Sequence, residues 1–149
     1  MHIEIDQSQR VEEARDTILA FSDGEKYAIQ VPVSVKAAAR EVLRAKRRDK
    51  GVANLRIFIA CVYLLIERHL DRIEHITIDE EFTGKDGEIK ATLLNYIRWS
   101  RPDFPSANVT IRRIGKKSGA HYVAYGVASG RREADRVITS EELLGFFRK

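Results

Sequence analysis

An unbroken run of ten apolar residues, 57–66, constrains the fold more than any other segment of the chain. Ten residues are too few to cross a bilayer, which takes about 20 residues as a helix. A helix that is apolar on all sides is stable only when other elements cover most of its surface. The run therefore predicts a helix, from about residue 52 to residue 70, that is buried on most sides.

Three segments that precede this helix have the pattern of β-strands. In the first, Ile3 and Ile5 alternate with polar residues, which is typical of a half-buried strand. The second and third flank the pair Asp23-Gly24, a common hairpin signal. We therefore expect an antiparallel meander of three strands. The segments are residues 2–9, 17–21 and 27–33.

Helices and strands alternate in the rest of the chain. The first helix carries the cations of residues 44–50 at its end, where they suit the helix dipole, and Gly51 stops it. Residues 118–130 match helical spacing, although their valines also suit a strand, and we favour the helix. Thr139 and Glu142 are spaced as a capping box for a small terminal helix. Further strands are expected at residues 76–79 and 109–111, a helix at 89–97 and a short extended piece at 137–138.

The predicted order of elements is β-β-β-α-α-β-α-β-α with a short C-terminal tail, in a single domain that spans residues 1–149. Strands joined by helices imply parallel pairing, whereas the meander implies antiparallel pairing. We therefore expect an α/β fold with a mixed sheet.

The composition excludes several classes of protein. The single cysteine, Cys61, excludes a disulfide scaffold and a zinc site made of cysteines alone. The chain opens without the pattern of a signal peptide, so we expect a cytoplasmic protein with no membrane partner. The 26 lysines and arginines exceed the 22 acidic residues by only four, which permits a polyanionic partner without requiring one.

Two of the predicted strands end in the same way. The pattern Ile-x-Ile-Asp occurs in residues 3–6 and again in residues 76–79, so that Asp6 and Asp79 close the two strands. Because the isoleucines face the core, the aspartates point to the opposite side of the sheet or out of the strand end. If the strands are parallel neighbours, the two carboxylates meet at the edge where open α/β sheets bind ligands.

A pair of adjacent carboxylates at this edge predicts a cation site. Like charges a few ångströms apart repel each other, and without compensation one of them takes up a proton. A divalent cation removes the repulsion, and carboxylate oxygens suit Mg²⁺ or Mn²⁺, which can activate water against a phosphodiester. Each aspartate taken alone is also typical of an ordinary strand end, because Asp favours the turns in which strands finish.

The order of elements resembles that of the ribonuclease H-like superfamily over roughly residues 3–130. The resemblance implies a mixed five-stranded sheet, with an antiparallel start and then parallel strands joined by helices. It also implies that the first and fourth strands are neighbours, and that each contributes an aspartate to a site for two metal ions. Asp6 and Asp79 fall at the matching places.

The same resemblance implies two further ligands. A glutamate in the second turn of the first helix usually joins the aspartates, and Glu41 matches it by position. The last ligand comes from the start of the final helix and is a histidine in argonaute-like members, where His121 matches. The implied catalytic and metal-ligating set is therefore Asp6, Glu41, Asp79 and His121.

A purely structural role stays open for Glu41 and His121, and the chain departs from the superfamily by an extra hydrophobic helix before the fourth strand. Glu41 is flanked by cations and is equally well interpreted as the partner in an exposed helical ion pair. His121 is equally well interpreted as a capping or structural histidine. In that case Asp135, in the tail, is the alternative ligand.

The cations are grouped along the chain. One group directly precedes His121, and a lysine follows Asp79, so these residues are expected to border the metal site and hold nucleic acid. The cations of residues 44–50 are sufficiently accounted for as a solvated charge run. Aromatic residues are sparse and scattered, so no stacking platform for single strands is predicted. The candidate nucleic-acid-binding residues are Lys85, Arg112, Arg113, Lys116 and Lys117.

Two functional hypotheses follow from these residues. The first is a metal-dependent nuclease, or nuclease-like domain, that hydrolyses phosphodiester bonds of RNA or DNA with Mg²⁺ or Mn²⁺. The second is a non-catalytic module of the same fold that binds nucleic acid or a protein partner. An incomplete or loosely spaced acidic set would favour the second hypothesis.

Overall fold

The computed structural model describes residues 1–115 and 118–148, which form an α/β fold with five α-helices and one six-stranded sheet. Two 3₁₀ helices, Glu67–Arg72 and Ser106–Asn108, lead towards the fourth and fifth strands. The strands are β1 (His2–Ser8), β2 (Thr17–Asp23), β3 (Glu25–Val31), β4 (His75–Asp79), β5 (Val109–Arg112) and β6 (Arg136–Val137). The helices are α1 (Val33–Ala45), α2 (Lys50–Ile66), α3 (Asp86–Ile97), α4 (Gly119–Ala128) and α5 (Ser140–Leu144).

The sheet has the strand order β5-β4-β1-β2-β3-β6. Antiparallel pairing of β1, β2 and β3 confirms the predicted meander, and β4 pairs parallel with both β1 and β5. The mixed sheet is confirmed, but the expected count of five strands is wrong. The additional strand, β6, lies parallel to β3 with Arg136 opposite Ile29. Its two residues are too few for a period-2 pattern to reveal a sheet strand.

The apolar run forms the centre of the helical layer, as predicted. Residues 57–66 lie in α2, and none of them is more than 9% exposed. The helices α1, α3 and α5 contact α2, and the strands β2 and β3 contact it from the sheet. Because each large aliphatic or phenyl side chain buried in this way contributes about 1.5–3 kcal/mol, covering α2 on these sides is a major source of the stability of the fold.

The two faces of the sheet pack against different helices. Ile3 and Ile5 of β1 belong to the core around α2, whereas Ile18 and Ala20 of β2 pack against α4 on the other face. The helical interpretation of residues 118–130 is thus correct. Ser118 caps α4, because its hydroxyl accepts a hydrogen bond from the Ala120 N–H at 3.1 Å. The first turn of α4 therefore lies over β1.

The helix boundaries differ from the prediction at the first cationic run. The helix α1 ends at Ala45 and not at Gly51, and Asp49 caps α2 by accepting a hydrogen bond from the Val52 N–H at 2.8 Å. Arg47 has a φ of 61°, in the left-handed region that few side chains adopt. The cations of residues 46–48 thus form the junction between α1 and α2, and Lys50 begins α2.

The tail after α4 is anchored by polar contacts. Thr139 and Glu142 form the predicted capping box, in which each side chain accepts a hydrogen bond from the other residue's backbone N–H. The Arg136 guanidinium pairs with Glu142 and, at 3.1 Å, with Glu67 just beyond α2. These bonds place α5 against α1 and the end of α2.

A buried lysine on α1 holds the loop between β1 and β2. The Lys36 side chain is fully buried, and its ammonium donates hydrogen bonds to the carbonyls of Glu13 and Arg15 and to the Thr17 hydroxyl. Burial lowers the pKa of Lys36. The loop carries Arg10, whose guanidinium donates to the Glu81 carbonyl at 2.9 Å. Lys36 therefore fixes a segment that reaches the end of β4.

We expect the substitution Lys36→Met to destabilise the protein, because it leaves two carbonyls and one hydroxyl without their donor. The expected loss is about 1–3 kcal/mol in the free energy of unfolding, measured by urea denaturation. Lys26→Met, at an exposed position on β3, is the matched control and should change stability by less than about 0.5 kcal/mol. Equal stability of the two variants would contradict a structural role for Lys36.

Candidate metal centre

The first residue of the site is Asp6, which lies near the end of the central strand β1. The backbone register pairs Ile5 of β1 with Ile78 of β4, so Asp6 and Asp79 follow side by side on parallel neighbours, as the sequence pattern requires. Asp6 is only 7% exposed. Its Oδ1 accepts a hydrogen bond from the Gln7 N–H at 2.8 Å. This bond leaves Oδ2 as the oxygen that meets the rest of the site.

The second residue, Asp79, is held between β4 and the chain that follows β5. Its Oδ1 accepts a hydrogen bond from the Ile114 N–H at 2.9 Å. In the sheet, Asp79 pairs with Arg112 of β5. The side chain is therefore oriented by backbone on a strand end, which is a rigid platform for a ligand.

The third residue, Glu81, was not among the sequence candidates. One carboxylate oxygen from each of Asp6, Asp79 and Glu81 lies within 4.8 Å of the others, which is close enough to share a cation. Glu81 also meets Arg10, with 3.5 Å between Oε2 and the guanidinium Nε. The available signal was the acidic run of residues 79–81 directly after a strand, in which the first and third members can turn to the same side.

His121 lies beside this cluster, in the first turn of α4. Its Nδ1 is 3.1 Å from Asp6 Oδ2, and its side chain is one-third exposed. The contact brings together Asp6, Asp79 and His121, three of the four residues in the predicted set. His121 touches one carboxylate, whereas the close group of three consists of carboxylates only.

Burial and mutual repulsion shift the protonation of two of the acids. Burial, and then the charge of Asp79, raises the pKa of Asp6, although the Gln7 N–H and His121 act in the opposite direction. Burial, together with the hydrogen bond to Asp79 and its charge, raises the pKa of Glu81 to about 7, while Arg10 opposes the shift. The cluster therefore holds a proton near neutral pH, and a cation that enters it would displace that proton.

The acids line an open cavity of about 320 Å³ at the edge of the sheet. Arg113 and His121 also line it, so the wall combines acids with cationic or titratable groups. The Gln7 side chain belongs to the same wall, and its buried Nε2 and Oε1 have no hydrogen-bond partner among the described residues. Because buried polar atoms normally find partners, this orphaned amide fits a cavity that receives a hydrated ion or a polar ligand.

The structure places Glu41 outside the cluster. Its carboxylate is 69% exposed and pairs with Arg44, one turn further along α1, at 2.6 Å. The expected ligand role is therefore wrong for this residue, and the alternative of an exposed helical ion pair is the arrangement observed. Sequence position alone could not decide which way this face of α1 points. The third carboxylate of the cluster comes from Glu81 instead.

The remaining candidates lie at several places. Asp135, the alternative ligand, accepts a hydrogen bond from the Ala28 N–H at 2.8 Å and pairs with Arg132, so it holds the tail against β3. Arg113 lines the acidic cavity, and Arg112 pairs with Glu4 at 3.5 Å. Lys85 lines a different cavity, between the start of α2 and the loop after β4. Lys116 and Lys117 lie outside the described residues.

Comparisons with protein-family models, curated proteins and solved structures give no match to this chain. In the part of the chain that the structure describes, no helix has both the length and the apolar character needed to cross a membrane. The chemistry of the site is therefore inferred from its own residues.

The raised pKa of Glu81 predicts a pH-dependent stability in metal-free buffer. An acid whose pKa rises on folding binds more protons in the folded state. The free energy of unfolding is therefore greatest at pH values below the pKa of that acid in the unfolded chain. We expect the free energy of unfolding to fall by up to about 3 kcal/mol as the pH rises from about 4.5 to about 7. Urea denaturation across this range measures the change.

Glu81→Gln should remove most of this pH dependence and stabilise the metal-free protein at pH 8. The exposed Glu133→Gln is the matched control and should retain the dependence of the unmodified protein. A Glu81→Gln profile that matches the control would show that Glu81 does not carry the proton of the cluster.

Proposed function

We propose that the protein is a divalent-metal-dependent nuclease of ribonuclease H-like fold, which hydrolyses phosphodiester bonds in RNA or DNA. The observation that carries this proposal is the convergence of Asp6, Asp79 and Glu81 at the ends of two parallel strands. Mg²⁺ or Mn²⁺ bound there would polarise a phosphodiester and lower the pKa of a bound water.

The donor set fits a hard cation. Three carboxylates offer only oxygen ligands, and their mutual repulsion in a partly buried cluster is relieved by a divalent charge. Burial, and then the charge of Asp79, raises the pKa of Asp6 and of Glu81. Since Cys61 is buried in the core, no thiolate competes to make the site suitable for softer metals.

The arrangement of the sheet supports the proposed fold. The resemblance in the sequence implies that the first and fourth strands are neighbours, and β1 and β4 pair in parallel at the centre of the sheet. The element order also agrees with the implied order, apart from the additional helix α2 and the edge strand β6. The ribonuclease H-like assignment remains our proposal.

The residues around the acids suit an anionic substrate. Arg113 lines the cavity and can contact a phosphate of the backbone. His121 uses Nδ1 towards Asp6, which leaves Nε2 as the nitrogen that can bind a ligand or move a proton. Gln7 adds a donor and an acceptor on the same wall. These groups support a catalytic site over a purely structural acidic cluster.

Metal binding is the first test of the proposal. Isothermal titration with MnCl₂ at pH 7.5 should show saturable binding to the unmodified protein, accompanied by proton release. Asp79→Asn should weaken the affinity by at least tenfold, because it removes one ligand charge while an amide oxygen can still accept the bond from Ile114. Equal binding by both proteins would remove the basis for a metal centre at these residues.

Cleavage of labelled RNA, DNA and hybrid duplexes tests the activity itself. With Mg²⁺ or Mn²⁺ present, we expect Asp79→Asn and Glu81→Gln each to lower the cleavage rate by at least 100-fold, about 2.7 kcal/mol in activation free energy. Glu41→Gln should keep at least half of the activity, because its carboxylate lies outside the cluster. A Glu41 variant as inactive as Glu81→Gln would restore Glu41 as the functional acid.

The non-catalytic alternative is separated by the same assay. A protein that binds Mn²⁺ and nucleic acid but cleaves none of the substrates with either metal would be a binding module. Under the nuclease proposal, the unmodified protein cleaves at least one substrate and loses that activity when EDTA removes the metal.

A further inference from the structure

A second surface, on the helical side of the molecule, combines cations with aromatic rings. Its first part is a groove of about 220 Å³ between the end of α1, α2, α3 and the chain after α5. Lys46, Arg48 and Arg56 line this groove together with rings from Tyr96, Phe146 and Phe147, and among residues 1–115 and 118–148 no acidic side chain lines it. We call it the basic groove.

The basic groove continues into more cationic surface at the junction of α1 and α2. Arg48 is shared with a neighbouring cavity of about 300 Å³, whose other lining residues are Arg40, Arg44, Lys50 and Ala53. Asp49, in the junction itself, uses its side chain to cap α2. Glu41 and Glu88 each meet one arginine of this region, Arg44 and Arg56. A positive excess remains after these pairs, so the surface attracts a polyanion.

The other end of the basic groove adjoins an aromatic platform, which consists of the exposed ring of Trp99 and the less exposed rings of Tyr63, Tyr96 and Phe146. Trp99 is 65% exposed, although large apolar rings are usually buried. Its ring lies 4.8 Å from that of Tyr96 and is nearly parallel to that of Phe146, with 21° between the planes. Trp99 thus contacts neighbouring rings, while most of the residue stays accessible.

We propose that the basic groove and the aromatic platform bind single-stranded nucleic acid. Arginines suit phosphate oxygens, and an exposed flat ring such as that of Trp99 stacks on unpaired bases without regard to sequence. The residues come from four separate segments, which is why the aromatics look scattered along the chain. This inference does not depend on the proposed nuclease activity, because no acid of the metal centre lines the groove.

The positive excess of the surface favours nucleic acid over a protein partner. Protein interfaces are enriched in arginine and aromatic residues but depleted of lysine, so it is the excess of cations, Lys46 among them, that points to a polyanion. A base stacked on Trp99 would leave its phosphates beside this groove, since Tyr96 and Phe146 belong to both the platform and the groove. An acidic protein segment could use the cations but would gain little from the platform.

The experiment uses Trp99, the only tryptophan of the chain, as its own reporter. The full chain is titrated in EDTA with (dT)₁₂, (rU)₁₂, a 12-base-pair duplex and poly-L-glutamate, while the fluorescence of Trp99 is recorded. We expect saturable quenching by single strands, with little quenching by the duplex or by polyglutamate. Three or four phosphate contacts should weaken binding about 20- to 50-fold between 50 and 200 mM salt. The (dT)₁₂ and (rU)₁₂ arms show which sugar is preferred.

Substitutions locate the binding on this surface. Arg48→Gln and Arg56→Gln together should raise the dissociation constant of the preferred strand at least tenfold. Arg131→Gln, at an exposed arginine after α4, is the matched control and should change it by less than twofold. Trp99→Leu, followed by the anisotropy of a labelled strand, should weaken binding at least fivefold through lost stacking.

Three results would overturn the proposal. The first is the absence of Trp99 quenching by either single strand at 50 mM salt. The second is equal quenching by polyglutamate, which would indicate an acidic protein partner. The third is an equal loss of binding in Arg131→Gln and in the Arg48/Arg56 double variant, since this would reflect net charge alone. Circular dichroism of each variant verifies that it remains folded.

Discussion

The fold depends on covering α2, whose apolar surface extends around the whole helix. Three helices and the sheet contact it, so that none of the ten residues of the apolar run is more than 9% exposed. This requirement places α1, α3 and α5 on one face of the sheet and leaves the other face to α4. Charged residues then lie outside this core. The metal centre lies at the carboxyl ends of β1 and β4, and the basic groove lies beside the α1–α2 junction.

At the carboxyl ends of β1 and β4, the backbone brings side chains of like charge close together. The parallel pairing of β1 and β4 brings Asp6 and Asp79 side by side, and the chain just after β4 adds Glu81. Burial, together with the hydrogen bond to Asp79 and its charge, raises the pKa of Glu81 to about 7. Without a ligand, this cluster lowers the stability of the fold at neutral pH. Unfavourable clusters of this kind are typical of functional sites, where a ligand offsets the cost.

Some features of the fold and site follow from local pattern, and others do not. The three-strand meander, the buried helix and the pairing of Asp6 with Asp79 were predictable, because alternation and repeated strand endings are visible in a short window. Glu41 was misassigned because the direction of a helix face depends on packing, and α1 turns this residue towards Arg44 and solvent. Glu81 was missed because it lies two residues beyond the end of β4, outside the strand pattern that marked the aspartates.

The sequence by itself determined the element order, the mixed sheet and the two carboxylates that each close a strand. These depend on hydrophobic periodicity, which acts over a few residues. Only the tertiary structure decided which third acid joins the cluster, that β6 extends the sheet, and that Trp99 meets Tyr96 and Phe146 beside the cations of the α1–α2 junction. The physical reason is that these contacts join residues far apart in the chain, and their distances are set by how the helices pack around α2.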